Sequence, residues 1–236
     1  MKFEINPIAI THSCYQEKFS TPRQPGLVTA ATGQIELLPP YNHPDTVDGL
    51  DNCSHIWLQF VFHECQKQGW KNKVRPPRLG GNEKMGVFAT RATHRPNALG
   101  LSVVRLESIE KGPNGVVLNV SGLDLIDGTP IVDIKPYIPY SDALADAQYA
   151  FAQQAPAEMP VFFAHKLNEF LIEQEPFKDL IEQVLAQDPR PAFHQLDETR
   201  SYGAKLNQHN VMWQYRLKDK EDGKSVFIEV ISIEPL

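Results

Sequence analysis

The first 140 residues alternate between apolar and polar positions in short runs that are bounded by proline, glycine or asparagine. Side chains of a strand point alternately to the two faces of a sheet, so this period of two predicts β-strands. The stretches that fit are IAITHS, GQIELL, HIWLQFVFHEC, KMGVFATRAT, GLSVVRLESIE, GVVLNVSGLDLI and PIVDIKPYI. An Asn-Gly pair in KGPNGV predicts a hairpin between two of them. Many strands with few helices favour a β-barrel or a strongly curved sheet.

The pattern changes after Ser141, where helical spacing replaces the alternation. A Ser or Asp cap followed by alanines predicts a helix in SDALADAQYAFAQQ, and FFAHKLNEFLIEQ and FKDLIEQVLAQD carry apolar residues at helical spacing. Asp222-Gly223 lies between two alternating runs and predicts a second hairpin. The sequence therefore predicts a mainly β chain, with a single β-barrel domain over residues 1–150 and a small α+β domain over residues 151–236.

The composition is that of an ordinary globular protein, with 42% hydrophobic and 22% charged residues among 236. Cys14, Cys53 and Cys65 form no C-x-x-C pair, so neither a disulfide framework nor a paired-cysteine zinc site is predicted. The N-terminal stretch lacks the apolar run of a signal peptide, and the longest apolar run, IWLQFVF, is too short to span a bilayer. We therefore expect a folded cytoplasmic protein without a membrane segment.

The charge is unevenly distributed. The net charge of −6 argues against a general nucleic-acid binder, but the segment from Gln66 to Arg95 has eight basic residues and one acidic residue. This segment is either a solvated loop or a surface that contacts phosphates. Pro96 predicts the end of a strand and a loop that runs to Gly100. In this stretch, Arg91, Arg95 and Asn97 either pair with acids and cap the turn or bind an anion.

Familiar cofactor and hydrolase motifs, including G-x-G-x-x-G, the P-loop, H-E-x-x-H and G-x-S-x-G, are missing from the sequence. The Pro-Gly pair in RQPGLV predicts a turn with accessible backbone groups, which is either an ordinary turn or a ligand contact. His63, Glu64 and Cys65 would alternate between two faces of a strand, so we do not expect the three to form one catalytic cluster.

Carboxylates are concentrated in GLDLIDGTPIVDIKPYIPY. Asp124, Asp127 and Asp133 fall within ten residues and lie near Lys135 and Tyr137, in an otherwise apolar segment. This pattern is typical of a pocket that favours a cationic ligand, although Asp127 also fits a turn.

Four stretches together carry a resemblance to a known family: EKFSTPRQPGLV, DGLDNCSHIWLQFVFHE, GVFATRATHRPNALGLSVVRL and GLDLIDGTPIVDIKPYIPY. They resemble the TsaA-like family, also called TrmO or YaeB, of S-adenosylmethionine-dependent tRNA methyltransferases. The resemblance implies a β-barrel in place of the Rossmann-like methyltransferase fold, and a homodimer with the donor near the subunit interface. It also implies methyl transfer to N6 of N6-threonylcarbamoyladenosine at position 37, in the anticodon arm of threonine tRNA.

The resemblance also implies a set of donor-binding residues, which are Gln24, Pro25, Gly26, His63, Glu64, Arg91, Leu101, Asp124, Leu125, Ile126 and Asp127. It assigns no single catalytic base. Because N6 must lose a proton, Asp133, Lys135 and Tyr137 are the catalytic candidates. The candidates for tRNA contact are Arg75, Arg78, Arg95 and Asn97.

Two other functions remain compatible with the sequence. One is a non-catalytic barrel that binds RNA or a nucleotide-like ligand. The other is a hydrolase or metal-dependent enzyme that uses His63, Asp124 and Asp133. The methyl-transfer interpretation requires no metal.

Overall fold

A computed structural model describes residues 2–76, 83–191, 194–220 and 223–236 of the chain. Its strands, in chain order, are β1 Ala9–Ser13, β2 Thr32–Leu37, β3 His55–Val61, β4 Lys73–Val74, β5 Met85–Gly86, β6 Leu99–Gly112, β7 Gly115–Ser121, β8 Pro130–Pro136, β9 Val161–Phe163, β10 Ser201–Leu206, β11 His209–Lys220 and β12 Gly223–Pro235. Its α-helices are α1 Pro139–Asp142, α2 Asn168–Ile172 and α3 Glu175–Ala186.

Six of these strands form a closed barrel in the order β1-β2-β7-β6-β3-β8, and every neighbouring pair is antiparallel. The pairing of Ala9 with Ile131 joins β1 to β8 and closes the barrel. Alternate side chains point inward, so Ile56, Leu58 and Phe60 of β3 are buried. The predicted mainly β fold with an N-terminal barrel is confirmed.

Three connections emerge at the same end of the barrel, because neighbouring antiparallel strands run in opposite directions. They are residues 14–31 between β1 and β2, residues 62–98 between β3 and β6, and residues 122–129 between β7 and β8. We call this end the barrel mouth. Binding and catalytic residues are often carried by loops that a rigid scaffold positions, so the mouth is the natural place to look for a site.

The C-terminal unit, residues 161–235, contains a four-stranded sheet in the order β10-β11-β12-β9. The register of β11 and β12 runs to the pair Lys220 and Gly223, which confirms the predicted hairpin. Helix α3 is also confirmed, and it buries Phe177, Ile181 and Val184 on one face. Apolar residues of the barrel and of this unit belong to one buried cluster.

Two predicted strands are shorter than expected near the mouth. The strand predicted through Cys65 ends at Val61, and His63–Gln68 forms a 3₁₀ helix, because the partner strand β6 begins opposite Val61. The strand predicted over residues 84–93 is limited to β5 and continues into a 3₁₀ turn at Val87–Ala89. The Arg95 guanidinium donates hydrogen bonds to the carbonyls of Val87 and Thr90. In a longer strand, these carbonyls would instead accept hydrogen bonds from a neighbouring strand.

Two further boundaries differ from the prediction. Strand β7 ends at Ser121 because Gly122 adopts a φ of 72°, which turns the chain. The helix predicted over residues 141–154 is wrong beyond α1, since residues 143–154 are exposed and bury no apolar face. Alanine propensity alone does not maintain a helix of this length in water. Strands β4, β9 and β10 were not predicted: β4 spans only two residues, β9 overlaps the start of FFAHKLNEFLIEQ, where a helix was predicted but only α2 is α-helical, and the alternating β10 was overlooked.

Candidate active site

Two hydrogen-bonded pairs of side chains, linked by the charge of Arg91, lie at the barrel mouth, and we call them the Asp124 network. The buried Ser102 hydroxyl, on the inward face of β6, donates to Asp124 Oδ1 at 2.7 Å. Arg91 Nη1, on the β3–β6 connection, donates to Oε1 of Gln24 on the β1–β2 connection. The charge of Arg91 also acts on the Asp124 carboxyl. The structure therefore brings three predicted donor-binding residues together from three separate connections.

Asp124 carries the single carboxyl of this network, and its pKa is raised. Burial raises its pKa from an ordinary value near 3.8 to about 6, and the Ser102 hydroxyl, the Asp124 backbone N–H and Arg91 offset this only in part. The carboxylate is therefore ionised at neutral pH while its charge is incompletely compensated. Such a group favours a cationic ligand.

The predicted turn at Gln24, Pro25 and Gly26 packs directly against the segment that leads to Asp124. The Gly26 N–H donates to the Gly122 carbonyl at 2.8 Å. Gly26 has a φ of 76°, and a Cβ built on it would meet no atom within 4 Å, so the space beside it is open. The turn therefore presents backbone to a ligand without a side chain in the way.

The remaining residues of the 124–127 run have structural contacts. Leu125 is buried, and Ile126 forms an isolated bridge with Tyr15. Asp127 Oδ1 accepts a hydrogen bond from Ser13 N at 2.8 Å, at the end of β1. These contacts hold the loop of Asp124 against the barrel.

Three further members of the predicted donor set occupy different surfaces. His63 is half-buried at the start of the 3₁₀ helix, and Glu64 Oε2 lies 3.6 Å from Lys18 Nζ of the β1–β2 connection. Leu101 is 49% exposed and faces outward, because its neighbour Ser102 faces the barrel interior. Leu101 therefore lies on the outer barrel wall, away from Asp124.

The catalytic candidates also lie on the outer wall. Asp133 pairs with Gln59, and Gln59 pairs with Leu101, so these residues form a row across β8, β3 and β6. Asp133 Oδ2 lies 3.7 Å from Lys135 Nζ. The Tyr137 ring packs 5.7 Å from the Trp57 ring on the same wall. Within one chain, the structure does not bring Asp133, Lys135 and Tyr137 to the Asp124 network.

The tRNA-contact candidates lie on the β3–β6 connection. Arg75 and Asn97 are exposed, and Arg78 lies outside the described residues. Arg95 Nη1 donates to the carbonyls of Thr90 at 2.8 Å and Val87 at 3.3 Å, so part of this guanidinium completes the loop.

The C-terminal unit contacts both flanks of the predicted donor turn. Before the turn, the Phe19 ring stacks on Trp213 with centroids 5.8 Å apart. After it, Gln183 Oε1 of α3 accepts a hydrogen bond from Ala30 N at 3.0 Å. The segment that contains Gln24–Gly26 is thus anchored to the C-terminal unit on either side.

Sequence reasoning missed Ser102 and Lys18. Ser102 had a recognisable signal, because a hydroxyl at an inward position of an alternating strand requires a buried partner. Lys18 had none, since its neighbour Glu64 is distant in sequence.

Across the described residues, no group of three or more His, Cys, Asp or Glu side chains could hold a metal ion. No helix in the described ranges is long and apolar enough to cross a membrane.

Two family models match the chain. The tRNA-methyltransferase O N-terminal domain matches residues 10–143, and the TrmO C-terminal domain matches residues 156–235. The chain belongs to the tRNA-methyltransferase O family. The resemblance carried by the four sequence stretches is therefore confirmed, and the two matched regions of this tRNA-methyltransferase O chain contain the barrel and the C-terminal unit.

Individual relatives extend this similarity over almost the whole chain. A tRNA (adenine(37)-N6)-methyltransferase from Escherichia coli (strain K12) is 47% identical over 239 residues, which cover 99% of this chain and 98% of that protein. A protein from Pseudomonas aeruginosa, provisionally named S-adenosylmethionine-dependent methyltransferase RcsF, is 48% identical over 226 residues, or 93% of this chain and 95% of that protein. A crystal structure of TrmO from Pseudomonas aeruginosa has a TM-score of 0.78 and 39% identity, covering 99% of this chain and 98% of that chain.

Proposed function

We propose that this chain is an S-adenosylmethionine-dependent methyltransferase that acts on N6 of adenosine 37 in tRNA. We extend the proposal to the N6-threonylcarbamoyl form of that adenosine in threonine tRNA, within the cytoplasm. The family membership and the names of the relatives support methylation of adenosine 37. The observation that carries the proposal is the Asp124 network, because an incompletely compensated carboxylate at the barrel mouth matches a cationic donor.

The residues at the mouth fit S-adenosylmethionine chemically. Asp124 supplies the negative charge for the sulfonium or ammonium group, and the open space beside Gly26 gives a flat ring access to backbone N–H and C=O groups. The hydrogen bond between Arg91 and Gln24 orients the turn, and we propose that the two side chains bind the donor carboxylate. We include Pro25, His63, Glu64, Leu101 and residues 125–127 in the proposed donor site.

When bound, S-adenosylmethionine supplies a methyl group on a positively charged sulfur that leaves as a neutral thioether. The new bond joins N6 to the methyl carbon, the bond between that carbon and sulfur breaks, and N6 loses its proton. The chain must position N6 in line with the breaking bond and accept that proton. We propose Asp133 as the proton acceptor, and Lys135, whose Nζ lies 3.7 Å from Asp133 Oδ2, and Tyr137 as the groups that orient it or stabilise the adjoining carbonyl.

A homodimer would bring the barrel mouth and the outer wall together in one site. Leu101 and Asp133 lie on the outer wall of the barrel, whereas Asp124 lies at the mouth. A donor near an interface between two chains would contact the mouth of one protomer and the outer wall of its partner. We therefore propose that the active site is completed by dimerisation through the wall formed by β3, β6 and β8.

The proposed tRNA contacts lie on the β3–β6 connection. Arg75 and Arg78 are proposed to bind phosphates of the anticodon arm, with an affinity that falls as salt rises. Arg95 uses Nη1 for loop carbonyls and keeps other N–H groups for the threonyl carboxylate, and Asn97 is exposed beside it.

Mass spectrometry of nucleosides tests the proposed reaction. Threonine tRNA with and without threonylcarbamoyladenosine is incubated with the full chain and S-adenosylmethionine. We expect one added methyl group on the modified nucleoside only. Methylation of unmodified adenosine 37 would contradict the proposed threonylcarbamoyl substrate, and no methylation of either tRNA would contradict the activity. Asp133→Asn is expected to lower kcat while the donor Kd stays constant, with the exposed Asp146→Asn as control.

A further inference from the structure

An exposed surface that combines basic and aromatic side chains extends from the barrel mouth on the β3–β6 connection. Trp70 is 58% exposed and Phe88 is 77% exposed. Between Gln66 and Arg95, the described residues include one acidic residue, Glu83, and seven basic residues, which are Lys67, Lys71, Lys73, Arg75, Lys84, Arg91 and Arg95. We call this set, with Trp70 and Phe88, the aromatic–basic surface.

Backbone hydrogen bonds join the two parts of the chain that carry the rings. Strands β4 and β5 pair through Val74 and Met85. The Val87 N–H donates to the Asn72 carbonyl at 3.1 Å, and the Lys71 N–H donates to the His94 carbonyl at 3.2 Å. Trp70 and Phe88 therefore belong to one folded unit and have a defined placement relative to each other.

Phe88 is supported by a fixed cation. The Arg95 guanidinium carbon lies 5.9 Å from the centre of the Phe88 ring, and the same guanidinium is tied to the Thr90 carbonyl at 2.8 Å. A guanidinium over an aromatic face is attractive. Because the ring is 77% exposed despite this contact, it still offers a large apolar area to an incoming flat group.

Single exposed aromatic residues are common on protein surfaces and carry no argument by themselves. The charge around these two rings is the distinguishing observation. Within the described chain, none of the seven basic residues forms an ion pair with a carboxylate. A polyanion with flat, unpaired rings matches both properties, and proteins that bind single-stranded nucleic acid combine a positive groove with stacking aromatic residues.

We propose that Phe88 and Trp70 stack on unpaired bases of the anticodon loop while the lysines and Arg75 of the surface bind its phosphates. This inference rests on the proposed function, because it takes tRNA as the substrate. An enzyme that modifies a base must draw it out of the loop's stack, and the stacking energy lost there can be replaced on aromatic side chains. The two rings thereby hold the loop in an unstacked form beside the donor site.

Fluorescence titration with an anticodon stem-loop RNA that carries 2-aminopurine next to position 37 tests this proposal. The variants are Phe88→Leu, which keeps apolar area but removes the aromatic face, and Phe88→Tyr, which restores it. Phe3→Leu is the matched control, since Phe3 is a 79% exposed phenylalanine outside this surface. Trp70→Leu and Trp70→Phe form the parallel pair for the second ring.

We expect each leucine variant to weaken RNA binding roughly ten- to one-hundred-fold, with an unchanged salt dependence, because stacking releases no counterions. The Tyr and Phe variants should retain near-normal affinity and the fluorescence change of the stacked probe. A double-stranded stem without a loop should bind all variants equally. These exposed substitutions leave the core intact, so a thermal melt should match that of the unmodified protein.

Several results would overturn the proposal. The proposal is wrong if Phe88→Leu and Trp70→Leu bind the stem-loop as tightly as Phe3→Leu does. If a leucine variant bound S-adenosylmethionine more weakly in the absence of RNA, the replaced ring would be assigned to a contact with the donor's adenine. If the variant had a smaller particle mass in solution, the ring would be assigned to a contact between two chains. Failure of the unmodified protein to bind the stem-loop would instead count against the proposed function, so the two failures are distinguishable.

Discussion

Replacing Asp124 by asparagine is expected to stabilise the folded protein and to weaken donor binding at the same time. Burial raises the pKa of Asp124 from about 3.8 to about 6, so ionising this carboxyl is harder in the folded state than in the unfolded state. Each pH unit between these pKa values corresponds to about 1.4 kcal/mol. The ionised carboxylate therefore lowers the free energy of unfolding by about 3 kcal/mol, and asparagine removes this penalty.

The pH dependence of this effect has a defined sign. A raised carboxyl pKa gives stability that is fully present below the unfolded-state pKa and is lost as the pH rises through the folded-state pKa of about 6. The gain from Asp124→Asn should consequently be largest above about pH 7 and small near about pH 4. The asparagine can still accept the Ser102 hydrogen bond, so the network geometry is retained.

Urea denaturation at about pH 8 and about pH 4 measures the stability change, and calorimetric titration with S-adenosylmethionine measures the donor affinity. Asp146→Asn, at an exposed carboxylate, is the control and should change neither quantity. The reasoning is refuted if Asp124→Asn gains the same stability at both pH values. It is equally refuted if the variant binds the donor as tightly as the unmodified protein.

Three other substitutions have distinct expected outcomes. Gln183→Ala removes the acceptor for the β1–β2 connection and should weaken donor binding several-fold without changing RNA affinity, whereas the neighbouring Glu182→Ala should alter neither in the same titrations. Arg91→Lys loses the planar guanidinium next to Gln24 and should raise the donor Kd about tenfold by calorimetry, and an unchanged Kd would remove Arg91 from the proposed site. Gly100→Ala places a Cβ against the Phe60 ring and should lower the free energy of unfolding by about 1–3 kcal/mol in urea, so a neutral effect would show that the ring can move aside.

The sequence predicted the barrel well because alternation within a strand is local information. In β2, β3 and the first part of β6, buried positions alternate with more exposed ones, so each strand has one buried face. Both predicted hairpins are confirmed, one between β6 and β7, where Gly112 pairs with Gly115, and one between β11 and β12, and they likewise depend on short turn signals. The family resemblance predicted that Gln24, Arg91 and Asp124 belong to one donor site. The structure explains why these residues lie close together, because each is on a connection at the barrel mouth.

The features that were missed depend on distant partners. The end of β3 is decided by where β6 begins, so the sequence of residues 62–65 could not reveal the 3₁₀ helix. The hydrogen bonds from Arg95 Nη1 to carbonyls five and eight residues earlier were not predicted, and the proposed tRNA contact of Arg95 stays a prediction. The pKa of Asp124 depends on burial at the mouth, which no spacing within GLDLIDG encodes.

Because the barrel and the C-terminal unit share one apolar cluster, ligand binding at the mouth is expected to change the stability of both. Barrel residues such as Ile35 and sheet residues such as Trp213 belong to the same buried core, so the two units are expected to unfold together. A ligand that binds only the folded form adds its binding free energy to the whole cooperative unit. Amide protons of the β11–β12 hairpin should therefore exchange more slowly with solvent when the mouth is occupied, even though they lie in another sheet. The C-terminal hairpin would then act as a remote reporter of donor occupancy.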